Sequence, residues 1–124
     1  MLLDYILFSI IFVAVDGIFL KTFANYFNNQ IKLVQNKPLK LNYISTFLCY
    51  LTLSIGIYYF AIVKNLSLIE TFGLGIFVYG VYEFTTHALL ENWKWKTVMI
   101  DTVWGGILFA TTVYLFKKIK TMIK

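Results

Sequence analysis

Four long apolar runs, at residues 2–20, 44–63, 68–89 and 97–116, constrain this chain more than any other feature. Each is near the roughly 20 residues that an α-helix, rising about 1.5 Å per residue, needs to cross about 30 Å of hydrocarbon. The composition agrees: 60% of residues are hydrophobic, 14% are charged and the mean hydropathy is +0.75. Soluble domains have about 45 to 50% apolar and about 25% charged residues. The expected fold is therefore all-α, a single membrane domain over residues 1–124 built as a bundle of four transmembrane helices. It is integral and multi-pass, with the bilayer as its first partner and no feature naming the membrane.

The connections fix relative directions. Segments 64–67 and 90–96 are only long enough to reverse the chain, so the second, third and fourth helices run antiparallel to their neighbours. The segment 21–43, with the single proline Pro38 and many Asn and Gln, is longer. Two readings stand for it: a plain polar loop, or a short interfacial helix with Phe23, Tyr26, Phe27 and Ile31 on its apolar side. Residues 117–124 read as a basic C-terminal tail. The first run has no Lys or Arg ahead of it, carries Asp16 and lacks a small-x-small cleavage site, so it reads as a retained helix rather than a leader.

The net charge of +5 comes from eleven lysines with no arginine. Arg forks and basic stripes, the usual tools of nucleic-acid recognition, are missing, and the lysines flank apolar runs instead. Five lysines fall on one side and six on the other, too even a split to orient the chain. The lone Cys49 precludes an intrachain disulfide and is expected to be a buried, inert thiol. Trp93, Trp95 and Tyr43 read as an interfacial aromatic belt. Gly106 with Ala110, and Gly73 with Gly80, read as small-residue sites of close helix contact.

Call the face reached by the end of the first run side A. Asp16, Glu83 and Asp101 each lie a few residues inside a run, about 6 to 9 Å below that face at the helical rise. A carboxylate in hydrocarbon costs several kcal/mol unless it is paired, neutralised or wet, so these acids are expected to converge. Like carboxylates within a few ångström cannot all ionise cheaply, so a convergent cluster binds a cation or holds shared protons. Tyr79, Tyr82, Thr85, Thr86 and Trp104 are its supporting residues. Each acid also has a plainer reading as a cap or interface residue near the headgroups. His87, one turn from Glu83, is a weak metal candidate with Glu83, set against an interfacial hydrogen-bonding role. Thr85 and Thr86 either line a polar path or bond back to their own helix.

The stretch YGVYEFTTHALLENWKWKTVMIDTVWGG resembles the signature of the domain of unknown function 2177 family, small membrane proteins of four helices. That signature runs Y-G-x-Y-[DE]-x-T-N, then a Trp, then D-x-x-W-G, with an Asp near the end of the first helix. Tyr79, Gly80, Tyr82, Glu83, Thr85, Trp93, Asp101, Trp104 and Gly105 match it, and Asp16 falls at the first-helix Asp. Thr86 stands in place of Asn, His87 in place of an apolar residue, and Glu83 in place of the more usual Asp. The resemblance implies the architecture and no activity, and it makes His87 peripheral to any shared site.

Three functions remain open. The first is a small transporter or channel-like protein whose Asp16, Glu83 and Asp101 bind protons or a small cation, with a homo-oligomer completing the pathway. The second is a structural or accessory membrane protein whose polar cluster only fixes helix packing. The third is a membrane-embedded, metal-dependent enzyme built on Glu83, His87 and Asp101. No H-E-x-x-H, nucleophile elbow or cofactor-binding motif is present, so no cofactor or catalytic residue is assigned.

Overall fold

The computed structural model describes residues 1–123, and all secondary structure among them is helical. The helices are α1 (Leu2–Thr22), α2 (Ala24–Gln35), α3 (Tyr43–Ile57, passing into a π-helical turn Tyr58–Val63), α4 (Leu68–Leu89) and α5 (Trp95–Met122). Local chemistry sets the boundaries. Ser67 and Glu70 form a reciprocal capping box at the start of α4, satisfying two backbone N–H groups that a helix start leaves orphaned. The Asn42 side chain accepts the Ser45 N–H at the start of α3. At the end of α2, Asn36 turns left-handed with φ 59°, and Pro38 follows where the helix can no longer continue.

Three of these helices are long and apolar enough to cross a membrane: Leu2–Thr22, Tyr43–Val63 and Trp95–Met122. The remaining run, 68–89, is one continuous helix with the bounds read from the sequence, but α4, which carries Glu70, Glu83 and His87, is not among the three, so four spans do not follow from length and composition. Segment 21–43 is resolved in favour of the helical reading, because α2 fills most of it. The basic C-terminal stretch continues α5 as helix through Lys117, Lys118 and Lys120 to Met122, and Lys124 lies outside the described residues.

The core draws Phe8, Ile11 and Phe12 from α1, Ile57 and Ala61 from α3 and its π-helical turn, and Leu108, Phe109, Val113 and Phe116 from α5. Phe8, Tyr58 and Phe116 meet edge-on at the end remote from side A, the geometry favoured by ring quadrupoles. Outward faces carry exposed Leu3, Ile10, Val13, Phe47, Leu48, Ile55, Phe77 and Val81. Such faces suit lipid, and between apolar helices in lipid the attraction comes from close packing rather than escape from water.

The closest packing joins α4 to α5, and its geometry differs from the small-residue pairs expected. A Cβ built on Gly75 would fall 2.2 Å from the Gly105 carbonyl oxygen, and one on Gly106 2.9 Å from the Phe72 ring. Gly73 faces open space. The tightest contact is thus Gly75 against Gly105 and Gly106; of the expected small residues Gly106 belongs to it, Gly80 lies in ordinary contact with Thr102 of α5, and Gly73 takes no part. Cys49 is another correction: it is exposed on the outward face of α3, because the inward stripe of that helix passes through Tyr50, Ser54 and Ile57.

Candidate functional site

Helix ends put the three acids at one depth. Asp16 is six residues from the end of α1, Glu83 six from the end of α4, and Asp101 six from the start of α5. All three are therefore about 9 Å below side A at the helical rise. Asp16 is 6% exposed and Glu83 is 1% exposed, while Asp101 is half-buried.

Within that layer the acids form a pair and a neighbour. Across the α4–α5 contact Asp101 is close enough to Glu83, and to Asp16, for their charges to act on it. Glu83 also accepts the Trp93 indole N–H at 2.8 Å. Asp16 accepts from two other helices: the Trp104 indole at 2.9 Å on one carboxyl oxygen, and the Tyr50 hydroxyl on the other. The Trp104 ring is held flat against Phe19, with centroids 4.3 Å apart and planes 6° apart. Each buried acid thus has at least one donor, as a charged or polar group removed from water requires.

Among the supporting residues, Tyr79 and Trp104 belong to the layer. Tyr79 lies within electrostatic range of both Asp16 and Asp101, its ring edge-on to Phe109 with centroids 6.0 Å apart. Tyr82 and Thr85 are exposed, and the Thr86 hydroxyl donates to the Tyr82 carbonyl at 2.7 Å, the back-bonding alternative for that residue. His87 packs on Trp95, with ring centroids 4.0 Å apart. Among the described residues, no three of His, Cys, Asp and Glu come together in a set that could hold a metal ion. That leaves His87 and Glu83 without the further ligands a metal centre needs.

Two contributors escaped the sequence reading. Trp93, which composition reads as part of an aromatic belt, is buried at 8% exposure and donates to Glu83 inside the helix pair. Its signal was its place between two motif halves, which composition alone reads as interfacial. Gln30 in α2 is 2% exposed. Its amide donates to the Asn92 carbonyl at 2.7 Å and accepts from the Lys94 N–H at 3.0 Å and the Thr97 hydroxyl at 2.5 Å. Nothing in a polar stretch rich in Asn and Gln distinguishes that one glutamine.

Neither a curated protein nor a solved structure matches the chain. A family model described as "Predicted membrane protein (DUF2177)" matches residues 1–116. The chain, with its helical architecture and its layer of indole-bonded acids, therefore belongs to that predicted membrane protein family.

Proposed function

We propose that the protein crosses the membrane four times and acts as a small proton-handling transporter or channel-like protein, with Glu83 and Asp101 as its proton site. The observation that carries this reading is the meeting of the two carboxyl groups. Glu83 is buried and Asp101 half-buried beside it, and two carboxylates drawn together and largely out of water repel each other, which favours a state in which the pair holds one proton. Asp16, bound by Tyr50 and Trp104 and near Asp101, supplies a second acceptor at the same depth. A fourth span gives α4 a reason to keep Glu83 inward while Phe77 and Val81 face outward.

Reconstitution into sealed vesicles containing a pH-sensitive dye tests this function. An imposed pH gradient is expected to decay faster with the protein than in empty vesicles, and Glu83→Gln and Asp101→Asn are expected to slow that decay. Decay no faster than in empty vesicles would overturn it. A second reading has its own support: Asp16 and Glu83 already have indole donors, the arrangement of polar groups that fix helix packing. On that reading the variants lower stability and the parent protein moves no protons.

A further inference from the structure

The helix α5 begins at Trp95 with Lys94 as its cap residue, and no side chain of its own closes that end. Closure comes from α2. The Gln30 side chain accepts the Lys94 N–H and the Thr97 hydroxyl through one oxygen, and donates through its nitrogen to the Asn92 carbonyl. These contacts grip the backbone immediately before and after residue 93. The Trp93 indole then donates to Glu83. Two further bonds tie the same strap: Tyr26 in α2 shares a hydrogen bond with Thr97 at 2.9 Å, and the Asn92 amide reaches the Leu33 carbonyl at 3.4 Å.

We infer that Gln30 is a positioning residue for the carboxyl pair, and that α2 is a strap on side A whose seating sets the Trp93–Glu83 hydrogen bond. The reasoning is geometric. The turn between α4 and α5 is short, and Asn92 within it is left-handed with φ 65°, a conformation asparagine tolerates. Gln30 braces that turn from outside the hairpin through the Asn92 carbonyl and the Lys94 N–H. An indole N–H must lie within a few tenths of an ångström of its acceptor distance to remain bonded, so loosening the backbone on both sides of Trp93 releases Glu83. A glutamine that is 2% exposed on a helix whose other side chains are half-buried or exposed is thereby explained, since a buried amide is stable only when its donors and acceptors are used.

The inference depends on the proton-site reading for its functional meaning, yet its test is separate. Full-length protein carrying nitrogen-15 tryptophan is placed in detergent micelles, and its three indole N–H resonances are assigned with Trp93→Phe and Trp104→Phe. Gln30→Ala is expected to shift the Trp93 resonance to the position of an indole lacking its carboxylate acceptor, leaving Trp104, bound to Asp16, unmoved. Gln30→Glu, which keeps the acceptor for Lys94 and Thr97 but loses the donor to the Asn92 carbonyl, is expected to shift the Trp93 resonance in the same direction but less far than Gln30→Ala. If Gln30→Ala does not fold, Thr97→Val loosens the same grip and is expected to move the same resonance less far. A Trp93 resonance unchanged in the folded variants, or Trp93 and Trp104 moving equally, would overturn the inference. A shifted Trp93 resonance in a protein that moves no protons would leave the positioning intact and remove only the proton function.

Discussion

Placing one methyl group at the closest approach of α4 and α5 should separate two glycines that lie on the same helix, two residues apart. A Cβ on Gly75 would fall 2.2 Å from the Gly105 carbonyl oxygen, 2.6 Å from its carbonyl carbon and 2.8 Å from the Gly106 Cα. All three are backbone atoms of a helix, so no side chain can rotate away. Restoring ordinary contact at 3.4 Å requires a retreat of about 1.2 Å. A gap of about 0.5 to 1 Å already forfeits a quarter to a half of a dispersion contact, so the flanking pairs along the interface lose attraction as the helices part. The expected cost of Gly75→Ala is about 1–3 kcal/mol, the usual range for overpacking. In an apolar medium the separated helices remain helical because their backbone groups have no other partner, so the helix preference of Ala over Gly offers little compensation. Gly73, with nothing near its built Cβ, should accept Ala within about 0.5 kcal/mol. Reversible unfolding in mixed micelles, followed by tryptophan fluorescence, measures both variants. Equal stability of Gly75→Ala and Gly73→Ala would refute the packing argument.

Two further outcomes are expected. In a Cys49→Ser background, Lys64→Cys and Glu91→Cys bracket α4 and should be labelled by a membrane-impermeant maleimide from opposite faces of sealed vesicles; labelling from one face would mean that α4 does not cross. Trp104→Phe keeps an aromatic ring on Phe19 but removes one donor from buried Asp16, and should cost about 1–3 kcal/mol, the penalty for stranding a buried acceptor. Combined with Tyr50→Phe it should be non-additive, because both donors serve the same carboxylate; simple additivity in the four-variant cycle would show that they act independently.

The apolar runs announced the helices well, and α4 has the bounds its run implied. Equal depth of Asp16, Glu83 and Asp101 was also legible, because depth depends only on helical rise and connection length. Sidedness around each helix axis was harder to read. The α3 run is apolar over most of its circumference, so its sequence could not say that Tyr50 faces Asp16 while Cys49 faces outward. In a chain made for lipid, the exterior is as hydrophobic as the interior, and the polarity contrast that marks the buried face of a soluble helix is weak.

From the sequence alone came the helical class, the order of reversals and the layer holding the acids, since those follow from local hydropathy and the length of each run. Tertiary structure decided the partners: Glu83 with Asp101, Trp93 turned inward, Gln30 gripping the hairpin, and Gly75 rather than Gly73 at the closest approach. The physical reason is that helix rotation and crossing are set by which few side chains and backbone atoms fit together across the interface. That depends on residues from α1, α2, α3, α4 and α5 at once, and no single stretch contains it.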